Sequence, residues 1–177
     1  RKCIMTTDNW GNNFLDAETH ANLYATVKSI DIPWYKNVVV QPPLITEDVQ
    51  FVHELYANHN VYSNFYDTFT PIFDKLNVQL FHRVKLNLTL KQNEKQILGG
   101  YHQDLMNGKG APLKELKIAI YYFNTTNGET VIKEKNGKIN TVNCVENSLV
   151  TFSNELEHTG ITHTDTSFRY VLNINYV

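Results

Sequence analysis

The chain has few of the residues that would point to a covalent or metal scaffold made from cysteine. Across 177 residues there are two cysteines, Cys3 and Cys144. That is too few for a thiolate cluster or a disulfide framework, which leaves one disulfide or, more simply, two free thiols in a reducing compartment. No apolar run approaches the roughly 18 residues of a membrane span, and no secretory leader is read. The expected location is therefore intracellular, in the cytoplasm. Because position 1 is Arg rather than Met, a few N-terminal residues are expected to be missing or processed. The acceptor patterns Asn87-Leu88-Thr89 and Asn124-Thr125-Thr126 are accordingly read as coincidence. Basic runs are absent and the formal net charge is −2, so no nucleic-acid partner is expected from bulk electrostatics. Repeats and low-complexity tracts are also missing.

What is present is ordinary for a globular chain: 42% hydrophobic and 19% charged residues, enriched in Tyr (ten) and Phe (nine). Aromatics in that number favour strands. The length suits one domain, residues 1–177. Helical spacing predicts a helix from Asp16 to about Ile30, with Asp16 as its cap. A second is predicted from Thr46-Glu47-Asp48 with Val49, Val52, Leu55 and Tyr56 as its stripe, and a third over 64–76, with Pro71 awkward inside it. Between the first two, Val38-Val39-Val40 reads as a short strand ended by prolines. At Leu80 the period changes from 3.6 to 2. Arg83, Lys85, Asn87 and Thr89 alternate with Val84, Leu86, Leu88 and Leu90. Further strands are expected over 116–124, 131–134, 138–140 (a hairpin about Asn136-Gly137), 149–152 and 168–177. Helices followed by about eight strands argue α+β: residues 1–79 as mainly helical support and 80–177 as a β-barrel core, a jelly roll with helices packed on one sheet.

In the last strand Tyr170, Leu172, Ile174 and Tyr176 share one face, and Arg169, Val171, Asn173 and Asn175 share the other. The 83–90 strand divides in the same way. Apolar faces need covering, and the N-terminal helices can cover them. The polar faces then look into water or into a ligand pocket. A metal constellation favours the pocket. In Gly99-Gly100-Tyr101-His102-Gln103-Asp104 an extended backbone would send His102 and Asp104 to one face. Two ligands do not hold an ion alone. His158, in Glu157-His158-Thr159-Gly160, is the best third, and two His with one carboxylate form the facial set of non-haem Fe(II) oxygenases. Arg169 follows His158 by 11 residues, so adjacent strands would bring both to one cavity.

On these residues the chain resembles the Fe(II)- and 2-oxoglutarate-dependent oxygenases, within them the prolyl-hydroxylase-like group with its small bacterial and phage members. The motifs that carry the resemblance are Tyr101-His102-Gln103-Asp104, Ile120-Tyr121-Tyr122-Phe123-Asn124, Asn127-Gly128-Glu129-Thr130, His158 and Phe168-Arg169-Tyr170. They span about residues 80–177. The resemblance implies a double-stranded β-helix (cupin-like barrel) with Fe(II) on His102, Asp104 and His158, and 2-oxoglutarate as co-substrate. It places the far carboxylate on Arg169, whose planar guanidinium suits a bidentate bridge, with Tyr122 bonding the same carboxylate. Asn173 falls four after Arg169, where the family often has a small hydroxyl residue, and Asn87 would reach the co-substrate from its strand. The implied reaction hydroxylates a C–H bond of a peptide, a prolyl side chain included, or of a small molecule, releasing succinate and CO2. Ascorbate would be an accessory reductant.

Other readings stand beside this one. A jelly-roll barrel of the same fold that binds a sugar or small ligand without catalysis would not need the intact set. A cupin-like metalloenzyme that uses no 2-oxo acid would not need Arg169. His163 with Asp165 is a weaker second ligand pair, because His163 falls in a loop. His20, His53, His59 and His82 are expected at the surface or on helices. Trp34 and Tyr35 are expected to pack, with Tyr121 and Cys144 in the core. Specificity is assigned to the 91–98 and 107–112 loops and the N-terminal third, and the oligomeric state is left open.

Overall fold

The structure is a computed structural model that describes residues 8–9, 11, 13–38 and 49–177. The elements in order are β1 (Asp8–Asn9), α1 (Ala17–Lys28), β2 (Tyr35–Val38), β3 (Val49–Ala57), β4 (Asn60–Val61), a 3-10 turn (Tyr66–Phe69), α2 (Thr70–Leu76), β5 (Phe81–Leu90), β6 (Ile97–His102), β7 (Lys117–Tyr122), β8 (Glu129–Lys133), β9 (Ile139–Asn143), β10 (Ser148–Ser153), β11 (Glu157–Ile161) and β12 (Phe168–Tyr176). They form two antiparallel sheets. The major sheet runs β1-β10-β7-β12-β5-β3-β2 with β4 on β3, and the minor sheet runs β6-β11-β8-β9. This is a double-stranded β-helix carrying helices on the outer face of its larger sheet.

Helix α1 starts where Asp16 accepts a hydrogen bond from Thr19 N (2.9 Å), which satisfies one of the free N-terminal donors. Its inward side is Leu23 and Val27, both buried, with His20 bonded to the Tyr121 hydroxyl (2.7 Å). The segment before it is pinned by Asn147. The Asn147 Oδ1 accepts from Leu15 N (2.9 Å) and from the Tyr121 hydroxyl (2.9 Å), while its Nδ2 donates to the Leu15 carbonyl (2.8 Å). Lys75 Nζ donates to the Phe14 carbonyl, joining the same segment to α2.

The expected helix over 64–76 is two pieces. Pro71 sits in the first turn of α2, where its missing N–H costs nothing, and a 3-10 turn precedes it. The helix expected from residue 46 is overturned over 49–57, while residues 46–48 lie outside the described residues. Val49–Ala57 is strand β3, with His53, Leu55 and Ala57 buried at a period of two. The 3-4 spacing of Val49, Val52, Leu55 and Tyr56 also satisfies that period in part, and pairing with β5 along Phe51↔Leu88 to Glu54↔Lys85 decides it. The N-terminal third therefore supplies strands as well as helices. Of the strand expected at 38–40, only Val38 is described, as the end of β2.

Two apolar cores result. One lies between the helices and the major sheet. It gathers Leu23, Val27, Ile72, Phe73, Val84, Leu86, Leu88, Tyr121, Leu172, Ile174 and Tyr176. The other lies inside the barrel at one end, with Ile118, Ile120, Tyr122, Ile132, Phe152 and Leu156. Cys144 is in this second core as a free, buried thiol. The other end of the barrel interior is faced by the polar sides of β5 and β12, and a cavity of about 290 Å³ opens there.

Candidate metal centre

His102 and His158 are direct cross-strand partners of β6 and β11, and their rings lie 4.4 Å apart between centroids. Asp104 is not on the strand that the sequence suggested. β6 ends at His102, and the chain bends through Gln103 to Asp104. The strand is already distorted by Gly99 (φ 70°) and Gly100 (φ 91°), a left-handed stretch that only glycine enters without strain. The bend returns the Asp104 carboxylate to the two rings. Asp104 Oδ1 lies 3.5 Å from His102 Nε2 and 3.6 Å from His158 Nε2. Candidate donor atoms of the three residues all fall within 4.8 Å of one another, and among the described residues no other group of three or more His, Cys, Asp or Glu does so.

The chemistry of this set fits a cation. The His–Asp separations exceed those of charge-assisted hydrogen bonds, roughly 2.7–2.9 Å. Burial drives the His158 pKa down to about 4, so its ring is neutral. The Gly100 carbonyl lies 3.2 Å from His102 Nδ1, which leaves Nε2 as the ligating nitrogen. The two Nε2 atoms and a carboxylate oxygen thus face one point, where a cation can take all three as donors. Two nitrogens and one oxygen is the donor set of non-haem Fe(II). For Asp104, burial favours the protonated form, but His102, His158, Arg83 and Asn175 outweigh it and hold the carboxyl well below its usual range.

The other oxygen of Asp104 is held from β5 and β12. Asn175 Nδ2 donates to Oδ2 at 2.7 Å and Asn173 Nδ2 at 3.2 Å, while Arg83 Nη2 lies at 3.3 Å. Arg83 Nε donates in turn to Asn175 Oδ1 (3.0 Å). Asn173 therefore contacts the carboxylate, with its own Oδ1 buried and unpaired. Arg83 and Asn175 were not singled out as site residues in the sequence. The signal was there, since both sit on the polar parity of strands whose other members, Asn87 and Arg169, were singled out.

Arg169 is at the far end of the same cavity. Its Nη1 donates to the Ile161 carbonyl (3.2 Å) and its Nη2 to Thr130 Oγ1 (3.3 Å), leaving Nε buried without a partner. Thr130 Oγ1 also accepts the Tyr122 hydroxyl (2.8 Å). Tyr122 is fully buried, and burial pushes its pKa up to about 12 despite Arg169 nearby. Tyr122 thus meets Arg169 through Thr130, from behind. Asn87 and Thr89 line the cavity on β5, and both side-chain oxygens are buried and unpaired. Together with Arg169 Nε these are polar atoms waiting for a ligand. Gly128, in the Asn127-Gly128-Glu129-Thr130 motif, leaves no room for a Cβ, which would stand 3.0 Å from the Ile161 carbonyl oxygen.

Neither a protein-family model nor a curated protein matches the chain by sequence. Solved structures match it by shape. A 2OG-Fe(II) oxygenase family oxidoreductase from Burkholderia pseudomallei superposes with a TM-score of 0.72 at 14% identity, over 96% of this chain and 84% of that one. A Pseudomonas putida prolyl-4-hydroxylase gives 0.69 at 15% identity, over 98% and 92%. A viral collagen prolyl hydroxylase from Paramecium Bursaria Chlorella virus-1, solved as its 2OG complex, gives 0.56 at 12% identity, over 97% and 96%. The chain has the fold of the 2OG-Fe(II) oxygenases. At such identity the likeness speaks for the oxygenase fold, and the site speaks for itself.

One histidine departs from its sequence reading. His53 is buried rather than at the surface, bonded to the Pro33 carbonyl (2.9 Å) and Ser63 Oγ (2.7 Å). His20 is on a helix as expected, half-buried against Tyr121. His163 is buried in its loop with the Asp165 charge near it, and among the described residues neither belongs to a group of three or more converging ligand residues. Among the described residues no helix is long and apolar enough to cross a membrane.

Proposed function

We propose that the protein is an Fe(II)- and 2-oxoglutarate-dependent dioxygenase that hydroxylates a C–H bond of a small molecule or a peptide, a prolyl side chain included, with release of succinate and CO2. The observation that supports this most directly is the convergence of His102, Asp104 and His158 at one end of a cavity whose other end is Arg169. Fe(II) with bound 2-oxoglutarate would supply O2-dependent decarboxylation of the 2-oxo acid coupled to C–H hydroxylation.

The chain's own residues would do the rest. The two Nε2 atoms and the Asp104 carboxylate would hold the ion on one side, leaving its other side toward the cavity. Asn173, Asn175 and Arg83 fix the Asp104 carboxylate, and Arg83 and Asn175 join His102 and His158 in keeping it ionised. Arg169 would take the distal carboxylate of the co-substrate as a charge-assisted pair in a poorly screened site. Thr130, backed by Tyr122, sets the plane of that guanidinium. Asn87 and Thr89 offer acceptors along the route between the two ends.

The decisive experiment is an anaerobic titration of the Fe(II)-loaded protein with 2-oxoglutarate, watching the weak visible charge-transfer absorption of a chelated 2-oxo acid. A saturable band that His102→Ala abolishes is expected, with Arg169→Ala weakening co-substrate binding. Folded, Fe(II)-loaded protein that gives no band would overturn the assignment and leave a ligand-binding barrel.

A further inference from the structure

One cation in the cavity has no task in that chemistry. Lys85 lies on β5 between Arg83 and Asn87 and lines the cavity with them. Among the described residues it makes no ion pair within 4.0 Å. Its cross-strand neighbour on β3, Glu54, is exposed and does not close on it. Burial, then the Arg83 charge, brings the Lys85 pKa down to about 8, with Asp104 and Glu54 only partly offsetting. Lys85 is half-buried; a cation drawn partly out of water without an ion-pair partner is destabilising, and such a residue makes sense where a ligand completes it.

The formal charge of the lining leads to the same place. Arg83, Lys85 and Arg169 stand against Asp104 alone, an excess of two positive charges in a chain of net charge −2. Fe(II) and the dianionic co-substrate cancel each other, so the loaded cavity keeps the excess. The count is the same whichever cation takes the distal carboxylate. Position says which remains. Arg169 pairs with Thr89 in the β12–β5 register, at one end. Asn173 pairs with Lys85 and Asn175 with Arg83 at the other, and both asparagines hold Asp104. Lys85 is also close enough for its charge to disfavour an imidazolium at His158. Arg83, already paired with Asp104, and the unpaired Lys85 therefore lie beside the candidate metal ligands, on the side away from Arg169.

We propose, resting on the oxygenase reading above, that the prime substrate is a small anion whose carboxylate or phosphate docks on Lys85 with Arg83 beside it, which would hold the reacting C–H bond at the metal centre. The cavity's volume of about 290 Å³ is at the small end for ligand sites. Asn37 and Gln50, from β2 and β3, add neutral donors and acceptors at its lining.

The test uses the Fe(II)- and 2-oxoglutarate-loaded protein held anaerobically, with matched probes: N-acetyl amino acids against their N-acetyl amides, and O-phospho-L-serine against L-serine. Binding is read by calorimetry and by perturbation of the charge-transfer band. Acid or phosphate members should bind about tenfold or more tightly than their neutral partners, and the pair that shows the preference tells carboxylate from phosphate. Lys85→Met should remove the preference and Lys85→Arg keep it, while 2-oxoglutarate titrates as in the parent. Neutral probes binding as well as their acids would overturn the proposal, as would a preference that survives Lys85→Met or a Lys85→Met defect in 2-oxoglutarate binding instead. A prolyl peptide that binds with no dependence on Lys85 would count against it in the same way. Absence of the charge-transfer band would fail at the earlier step and remove the oxygenase reading itself.

Discussion

Thr130 sits at a junction where one hydroxyl satisfies two buried donors, and replacing it with the nearly isosteric Val isolates that role. In Thr130→Val the Tyr122 hydroxyl, fully buried, loses its 2.8 Å partner. An orphaned buried donor costs about 1–3 kcal/mol. Arg169 Nη2 loses a second, longer bond of 3.3 Å, at the weak end of hydrogen-bond geometry, which contributes about 1 kcal/mol. The sum is about 3 kcal/mol, or a fall in Tm of about 6–12 °C for a domain this size. The guanidinium, then held only by the Ile161 carbonyl, is less fixed, and 2-oxoglutarate affinity should drop about tenfold, equivalent to ~1.4 kcal/mol. Tyr122→Phe removes the donor instead. Thr130 still accepts from Arg169, so the loss should stay under about 1.5 kcal/mol with co-substrate affinity near that of the parent. Thermal melts of the metal-free protein and the anaerobic 2-oxoglutarate titration read the two effects. If Tyr122→Phe proves as damaging as Thr130→Val, or if Thr130→Val leaves the titration unchanged, Thr130 is not the brace described.

Stability of the metal-free protein should fall on acidification. His20, His53, His158 and His163 all have folded pKa values lowered chiefly by burial, so the unfolded chain takes protons first, and stability is lost as pH drops through 6.5 toward the folded values. For His158 alone, from 6.5 to about 4, the loss amounts to about 3 kcal/mol. Asp104, depressed in the fold, continues the trend at lower pH because protonating it breaks its contacts with the cations and amides. Urea midpoints stepped from pH 7 to pH 4 should decline steadily, and a flat profile would contradict the burial of these rings. Asn147→Ala should cost about 2–4 kcal/mol by orphaning Leu15 N and the Leu15 carbonyl, while the Tyr121 hydroxyl loses one of two partners and keeps His20. Amide exchange should show α1 loosened ahead of the barrel, whereas uniform loosening would mean that the helix is tied down elsewhere.

The strands were legible wherever one face meets the helices and the other the cavity. Val84, Leu86 and Leu88 against Arg83, Lys85 and Asn87 is a pattern that only a two-sided sheet explains. β3 was misread because its residues satisfy both periods and the choice rests on pairing with a strand about 30 residues away, which local pattern does not encode. β11 has no bounds in the sequence reading, which only places His158 on a strand adjacent to that of Arg169: Glu157–Ile161 is short, and a glycine weakens its alternation. The convergence of His102, Asp104 and His158 was legible from spacing, although Asp104 reaches the rings through a bend after two left-handed glycines, not along a strand. Arg83, Lys85 and Asn175 were passed over because a polar residue on an alternating strand is usually solvated. Only the barrel's closure shows that this side faces inward.

That closure gives β12 two separate vocabularies. Tyr170, Leu172, Ile174 and Tyr176 face the helix-covered core, while Arg169, Val171, Asn173 and Asn175 face the cavity or Asp104. A saturation scan along these eight positions would split into two interleaved phenotypes: loss of abundance at the even numbers, and loss of ligand binding with abundance kept at the odd. Drift in substrate preference can then run along the odd positions of a strand whose even positions are frozen, so this strand can change what the barrel binds without changing whether the barrel stands.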